Sequence, residues 1–458
     1  MTPSREGRVL FGRTLAPVAD ALAADFGSAP EQEAYSHALE MGRYDGPCGM
    51  FGKYDNVRRF WEDRVTAFFL SPSLERLVAR VSKQDRGLRI LDLGCGVGDG
   101  LDLIRAIAPH RCADLRSLDT SLVTEQVLEK YVGLDLNENL LAEGLKRHAG
   151  SAKVSFVKGD LSGGLPGEIL RDHEPFDLYF SSYAMLSHFS DQQFAKILAD
   201  VCDHAPDYAL FVGDWLGHYS YEWPSSWRHV LKHDYVMDYR MSYLYTQAER
   251  SGVDIPVFPL RLMTGKEILS IAREVSARRD RLIKPQVIFD RSILAGRHTD
   301  TGEYHPGIPH FRTLLNSLLE YHRRTDLAGL LLEYVPKDGF DRINSFYERF
   351  FGATNRLVRY SLDLLENHVD STTRSAGLAG PSEGDPCCLV QAMETMRLVI
   401  DRMDSVCWGD ARANLLEPAL GYALRHLEIG LQSGIGVGHS LGAVLELSKQ
   451  RGDEADRP

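Results

Sequence analysis

Long hydrophobic runs are missing from this chain of 458 residues. No stretch of ~18 consecutive apolar residues occurs, so no membrane-spanning helix is expected. The amino-terminal stretch MTPSREGRVLFGRTLAPVADALAADFG is interrupted by Arg8, Arg13 and Asp20, and it therefore lacks the continuous apolar core of a secretory signal. We expect neither export nor membrane insertion.

Cysteine is scarce and shows no pairing pattern. Its copies are odd in number, and none belongs to a CxxC pair, so the sequence does not predict a disulfide framework. We expect reduced thiols in a cytoplasmic protein. The seven cysteines are Cys48, Cys95, Cys112, Cys202, Cys387, Cys388 and Cys407.

Positive charge is also in deficit. The 52 lysines and arginines stand against 64 aspartates and glutamates, which gives a formal net charge of −12. Such a chain repels phosphate backbones and anionic lipid headgroups unless a local basic patch intervenes. We therefore expect a small-molecule substrate, with no nucleic acid and no membrane as partner. Nothing in the sequence indicates an oligomeric state.

Short apolar runs alternate with helical patterns from residue 85 onward. Parallel neighbouring strands need a crossover of a dozen or more residues, so this alternation predicts a parallel sheet with helices on both faces. The predicted fold class is doubly wound α/β. The strand candidates are 88–93, 130–136, 152–157, 176–181 and 208–213, and a further stretch at 284–296 is expected to close the sheet.

Pattern and composition divide the chain further. At 458 residues it exceeds the ~250–300 at which single cores stop growing, so more than one unit is expected. The predicted units are an amino-terminal helical segment (1–84), the α/β domain (85–300) with an aromatic insertion (215–262), a helical extension (301–370), a linker rich in Ser, Gly and Pro (371–386) and a carboxyl-terminal helical segment (387–458).

The stretch RILDLGCGVGDG contains the spacing DxGxGxG at a predicted strand-to-helix turn. Glycines there let the backbone turn sharply and let a ligand approach the N–H groups of a helix N-terminus. A dinucleotide fingerprint, GxGxxG, has its third glycine one place later and no carboxylate before the first. Because Asp92 would repel a pyrophosphate and attract an ammonium group, this spacing disfavours an NAD(P)-dependent oxidoreductase.

The loop resembles that of the class I S-adenosylmethionine (SAM)-dependent methyltransferases, which have a Rossmann-like sheet. The resemblance implies that the loop glycines pack against the methionine part of SAM and that Asp92 receives its amino group, directly or through water. The loop residues that it assigns to the cofactor are Asp92, Gly94, Cys95, Gly96 and Gly98.

Three further matches to this family follow in the expected order. After the second strand, Asp135 would accept both ribose hydroxyls and Leu136 would pack on the adenine. After the third strand, Asp160 would take the adenine amino group, with Leu161 beside the ring. Ser181 stands at the carboxyl end of the fourth strand, where open α/β sheets bind ligands.

Methyl transfer from SAM requires alignment of the acceptor and exclusion of water, and a general base is optional. Tyr183 and His188 follow the fourth strand and Asp214 follows the fifth, so these three residues are the catalytic candidates. His188 could deprotonate a phenol or an amine near neutral pH. Capping or packing on the following helix is the other interpretation of this histidine.

Aromatic residues are concentrated after Asp214. Trp223 and Trp227 could form a wall for a flat or apolar acceptor, or could equally be ordinary packing. In the amino-terminal segment, aromatic residues could close over the site. These are Phe51, Tyr54 and Trp61.

Two other motifs are weaker. His229 and His233 have the spacing of neighbours on one helix face, with Asp234 adjacent, but no third ligand is in view and no metal is predicted. The pentapeptide Gly438-His439-Ser440-Leu441-Gly442 matches GxSxG, yet the acid and histidine of a hydrolase would have to follow it and no histidine does.

The prediction is thus a SAM-dependent methyltransferase of a small molecule, with transfer to O or N favoured over C. The segment SSYAM after the fourth strand does not resemble the Asn/Asp-Pro-Pro-aromatic signature of methyltransferases that act on nucleic-acid bases. The alternative is a non-catalytic SAM-binding protein whose helical carboxyl-terminal half binds a partner.

Overall fold

The computed structural model describes residues 29–44, 49–109, 121–229, 235–369, 380–405 and 409–449. The strands in this part of the chain are β1 (Leu88–Leu93), β2 (Leu128–Asp135), β3 (Val154–Lys158), β4 (Leu178–Phe180), β5 (Tyr208–Gly217), β6 (Val236–Arg240), β7 (Val257–Met263), β8 (Arg281–Arg291) and β9 (Ser440–Lys449). The α-helices are α1 (Ala29–Glu40), α2 (Asp63–Ser82), α3 (Asp99–Arg105), α4 (Glu138–Arg147), α5 (Gly167–Asp172), α6 (Asp191–His204), α7 (Gly265–Ala277), α8 (Phe311–Leu318), α9 (Asp341–Val369), α10 (Cys387–Arg402) and α11 (Glu417–Gly430).

The main sheet has the order β3-β2-β1-β4-β5-β9-β8. The neighbouring strands among β1, β2, β3, β4 and β5 all pair in parallel. Strand β9 runs antiparallel to both of its neighbours, β5 and β8. Each of the five predicted strands from 88 to 213 is found, and the fifth extends four residues further, to Gly217. The predicted doubly wound α/β class is confirmed.

Both faces of the sheet are buried, as a parallel sheet requires. Successive side chains of a strand point to opposite faces, so neighbouring residues of β1 enter different cores. Ile90 packs in a core with α2 and α3, whereas Leu91 packs in the other core with α6 and α7. The sheet therefore lies between two helical layers.

The helices after residue 300 belong to one of these layers. Leu315, Leu357, Met393 and Leu420 of α8, α9, α10 and α11 share one continuous core with α2 and the sheet. The predicted helical extension is therefore packed against the α/β domain. Residues 371–379 of the linker predicted at 371–386 lie outside the described part of the chain.

The last strand corrects the predicted carboxyl-terminal unit. The segment 387–458 was predicted to be helical, yet its residues Ser440–Lys449 form β9, which lies between β5 and β8. The stretch 284–296, predicted to close the sheet, corresponds to β8 at its edge. Local pattern does not reveal strand partners far apart in sequence, and for this reason β9 was missed.

Two segments cover the carboxyl ends of the strands. The predicted aromatic insertion contains the antiparallel pair β6 and β7, and β7 joins the end of β5 at Leu216 and Gly217. Residues 1–28 and 45–48 of the predicted amino-terminal segment lie outside the described part. The described part of that segment includes α1 and α2. No helix within the described ranges is long and apolar enough to cross a membrane.

Candidate active site

Two adjoining cavities lie at the carboxyl ends of the strands, where open α/β sheets bind ligands. The cofactor cavity, about 170 Å³, is bordered by the ends of β1, β2 and β3 and by α1. Six of the residues predicted to bind cofactor line it, together with the catalytic candidates Tyr183 and His188. The six are Gly94, Gly96, Asp135, Leu136, Asp160 and Leu161.

The glycine loop connects β1 to α3. Gly94, Gly96 and Gly98 have φ values of 67°, 55° and 88°, a region that glycine adopts without strain. A Cβ at Gly94 would meet the side chain of Met185 at 2.3 Å, whereas one at Gly96 would meet no atom within 4 Å. The loop therefore leaves open space for a ligand directly over the backbone of Gly96.

Asp135 links the loop to the end of β2. Its carboxylate accepts hydrogen bonds from the backbone N–H groups of Gly96 and Asn137, each at 2.8 Å. Burial raises the pKa of this carboxyl, and the two N–H groups oppose that rise. The carboxylate is thus fixed at the cavity wall, in a place suited to accepting hydroxyl groups from a ligand.

Asp160 lies on the same wall, after β3. Its Oδ1 accepts the backbone N–H of Ser162, and its Oδ2 accepts the Ser162 hydroxyl, both at 2.8 Å. Leu161 is buried beside it. The three strand ends therefore present two carboxylates, an open glycine backbone and apolar surface to one cavity, which is the set of groups that the sequence predicted.

The other predicted cofactor residues do not line the cavity. Asp92 is 1% exposed and accepts a hydrogen bond from Tyr131 at 2.6 Å, and burial raises the pKa of its carboxyl to about 7. Gly98 serves as N-cap of α3, while Cys95 and Ser181 are buried. Because Asp92 is buried and does not line the cavity, the contact with a ligand amino group predicted for it remains a prediction.

Helix α1 covers the cofactor cavity. Asn137, the N-cap of α4, donates from Nδ2 to the Gln32 carbonyl and to the Ser36 hydroxyl, both at 3.0 Å. Glu31 forms an ion pair with Nδ1 of His188 at 2.6 Å when this histidine is protonated. Helix α1 therefore closes over the site. The aromatic residues that the sequence offered for this role do not line either cavity; they are Phe51, Tyr54 and Trp61.

The acceptor cavity, about 110 Å³, adjoins the cofactor cavity. Tyr35, Tyr44, Tyr183 and His188 line both of them. Its other walls come from the amino-terminal segment, from the aromatic insertion and from residues near the ends of β8 and β9. These lining residues are Lys53, Arg58, Glu62, Ala184, Leu216, Tyr239, Met241, Tyr243, Leu244, Leu260, Arg291, Arg297, His439 and Ser440.

The three catalytic candidates are held differently. Tyr183 has a φ of 58°, its hydroxyl donates to Asp63 at 3.0 Å, and burial raises its pKa well above the usual value. His188 lies 3.3 Å from the Tyr35 hydroxyl through Nε2 and contacts Glu31 through Nδ1. Asp214 lines neither cavity. Its carboxylate accepts the Tyr183 N–H at 2.9 Å and pairs with the buried Arg291. Asp214 is therefore a positioning residue.

A histidine that was not among the candidates from the sequence lines the acceptor cavity. His439, within the GxSxG match, contacts Oε2 of buried Glu222 through Nδ1 at 2.7 Å. His439 and the His298 N–H lower the pKa of Glu222 despite its burial, so this carboxylate is ionised and Nδ1 carries the proton. Nε2 has no hydrogen-bond partner among the described residues and is available as a proton acceptor.

Of the two interpretations of Trp223 and Trp227, the structure supports packing, and neither residue lines the acceptor cavity. Both are fully buried, and their Nε1–H groups donate to the carbonyls of Gly217 and Ser220 at 2.9 Å. The insertion does line the acceptor cavity, but through residues of β6 and the turn that follows it. These are Tyr239, Met241, Tyr243 and Leu244.

Trp223→Ala is accordingly expected to destabilise the fold by about 3–5 kcal/mol, because it removes a buried ring and the Nε1–H that donates to the Gly217 carbonyl. Thermal and denaturant unfolding would measure this loss. Tyr321→Ala is a matched surface control, since Tyr321 is 69% exposed and should change stability by less than about 0.5 kcal/mol. A stability equal to wild type in Trp223→Ala would contradict the packing role.

The His229–His233 motif falls only partly within the described residues. His233 and Asp234 lie outside the described residues, and no group of three or more potential metal ligands occurs among the residues that are described. An open depression of about 390 Å³ lies at the amino ends of the strands, where Arg86 and Arg89 are already paired with carboxylates. The carboxyl-end cavities are therefore the candidate site.

The fold resembles solved SAM-dependent methyltransferases at low similarity. The CcbJ methyltransferase from Streptomyces caelestis aligns with 56% of this chain and 89% of its own at 11% identity, with a TM-score of 0.33. Magnesium protoporphyrin IX methyltransferase from Synechocystis, solved with SAH, aligns with 59% and 91% at 12% identity and a TM-score of 0.30.

A third match is narrower. The complex of the Haloferax volcanii Trm112 methyltransferase activator with a methyltransferase aligns with 46% of this chain and 66% of that one, just under two thirds, at 16% identity and a TM-score of 0.28. No protein-family model matches the chain, and no curated protein matches its sequence. The sheet order and the geometry of the two cavities are therefore the observations that bear on function.

Proposed function

We propose that this protein is a SAM-dependent methyltransferase that modifies an oxygen or nitrogen atom of a small molecule. The observation that carries the proposal is the pair of adjoining cavities with a shared wall of Tyr35, Tyr44, Tyr183 and His188. One cavity presents the groups expected for SAM, and the other has room for an acceptor. A transferase needs both ligands side by side, whereas a protein that only binds SAM needs one cavity.

The cofactor cavity suits SAM through its charges. Asp135 and Asp160 would receive the ribose hydroxyls and the adenine amino group, and the open backbone at Gly96 would lie against the methionine part. A pyrophosphate would meet the Asp135 carboxylate next to the loop, which disfavours a dinucleotide. When bound, SAM supplies an activated methyl group on its sulfonium.

We assign removal of the acceptor proton to His439 rather than to His188. Both nitrogens of His188 already contact Tyr35 and Glu31, whereas Nε2 of His439 is unpaired and Glu222 fixes its tautomer. As the acceptor oxygen or nitrogen gains the methyl group, its proton would pass to Nε2, and the ionised Glu222 would stabilise the resulting imidazolium.

A reducing, cytoplasmic setting accords with the scattered cysteines.

Asp135→Ala is expected to weaken SAM affinity by about 2–4 kcal/mol, because two ribose hydroxyls lose a shared charged acceptor. Calorimetric titration with SAM measures this loss. Glu138→Gln is the matched control, since Glu138 is an exposed carboxylate three residues away that pairs with Lys158 and does not line the cavity.

The titration also needs a test of folding, because Asp135 accepts two backbone N–H groups of the loop. Asp135→Asn keeps one acceptor oxygen and is expected to fall between wild type and Asp135→Ala. Unchanged SAM affinity in a folded Asp135→Ala protein would show that the cofactor is not held at the end of β2.

A further inference from the structure

We propose that the acceptor carries one anionic group, a carboxylate or a phosphate ester, and that Arg297 receives this group in the acceptor cavity. The inference rests on the proposed function, since it identifies the substrate class of that same site. It derives from the charges and pairing of the residues that line the cavity, in a protein whose overall charge is negative.

Cations outnumber carboxylates at the cavity wall. Four cationic side chains line it, and Glu62 is the one lining carboxylate among the described residues. The cations are Lys53, Arg58, Arg291 and Arg297. Placing this many charges at a buried surface is costly unless each has a partner, so the pairing of each cation shows where a ligand anion is required.

Three of the four cations have close carboxylate partners behind the wall. Asp99 is shared between Lys53 at 3.2 Å and Arg58 at 3.0 Å, and Asp214 pairs with Arg291. The Nε groups of Arg58 and Arg291 are nevertheless buried without a hydrogen-bond partner. Part of the donor capacity of this wall is therefore unused.

Arg297 has the weakest pairing of the four. Its contacts in the described part of the chain are a 3.5 Å approach to Oε2 of Glu62 and a position 5.0 Å from the centre of the Tyr243 ring. Glu62 is held more closely by Arg312, at 2.7 Å. A guanidinium presents a planar set of donors that matches a carboxylate or a phosphate, so an anion at Arg297 would complete its pairing.

The rest of the cavity suits a small ring attached to that anion. Tyr239, Met241, Tyr243 and Leu260 give it apolar walls. Its volume of about 110 Å³ is below that of the ~150 Å³ cavity that accommodates a benzene ring, so one ring is the largest group expected there. Compounds with one ring are therefore suitable probes, and benzamide serves as a neutral match for benzoate.

The test measures binding of benzoate, phenylacetate, phenyl phosphate and benzamide by calorimetry, with the full chain saturated with S-adenosylhomocysteine. At least one anion is expected to bind tenfold or more tightly than benzamide. Arg297→Gln should weaken the binding of that anion by tenfold or more. Arg297→Lys, which retains the charge, should weaken it by less. Arg324→Gln, which breaks an exposed pair with Asp410, is the control and should have no effect.

The outcomes separate this inference from the proposed function. Preference for carboxylates or for phenyl phosphate identifies which anion the acceptor carries. If benzamide binds as well as every anion, if no anion binds to a folded protein that binds SAM, or if Arg297→Gln leaves anion affinity unchanged, the inference is wrong. If the wild-type protein does not bind SAM, the proposed function is wrong, whether or not the protein binds the anions.

Discussion

A chain that ends at His439 is expected not to fold. Such a chain lacks β9, which pairs along its length with both β5 and β8 in the interior of the main sheet. The deletion exposes two strand edges and removes fully buried side chains at Leu441, Val444, Leu445 and Leu447. The loss of several such side chains, at about 2–5 kcal/mol each, exceeds the ~5–15 kcal/mol by which a typical domain is stable.

Circular dichroism and thermal unfolding would measure the effect, with a chain that ends at Lys449 as the control. Single substitutions give a graded version of the same test. Leu445→Ala should cost about 2–5 kcal/mol, whereas Glu446→Gln, at a partly exposed position in the same strand, should cost less than about 1 kcal/mol. A shortened chain that unfolds cooperatively and binds SAM would show that β9 is dispensable.

Replacing His439 by glutamine is expected to lower turnover by about 10²–10⁴-fold, the usual contribution of a general base. The amide keeps a similar shape but cannot accept a proton at neutral pH. SAM affinity should change by less than about threefold, because His439 lines the acceptor cavity and not the cofactor cavity. The expected loss is therefore in the chemical step.

Single-turnover methyl transfer, with an acceptor drawn from the anionic probes or their hydroxylated and aminated derivatives, would measure this loss. Glu222→Gln should lower turnover by less than His439→Gln. It leaves Nε2 of His439 in place and disturbs only the tautomer of that imidazole. His188→Gln is the comparison for the other candidate base. A larger loss of turnover in His188→Gln than in His439→Gln would transfer the role to His188.

The cofactor side of the site could be predicted because its signals are local. Short stretches with recognisable spacing contain the strands, the glycine loop and the acids Asp135 and Asp160. All of these features line or support one cavity. Each of these features depends on neighbours within about thirty residues or on the edge shared by parallel strands.

The acceptor side could not be predicted because its residues converge from distant parts of the chain. Arg58, Arg291 and His439 come from three separate segments, and each resembles an ordinary polar residue in sequence. The GxSxG match that contains His439 was judged only as a hydrolase motif, whereas the structure places this histidine opposite Glu222, more than two hundred residues away. Trp223 and Trp227 attracted attention through size, yet a large ring packs equally well in a core.

The central claim is that the cavity at the ends of β1, β2 and β3 binds SAM. Calorimetric titration of the full chain with SAM, and separately with NAD, tests it most directly. We predict saturable binding of one SAM per chain, weakened by about 2–4 kcal/mol in Asp135→Ala, and no binding of NAD. Absence of SAM binding to the folded protein, or tighter binding of NAD than of SAM, would contradict the account.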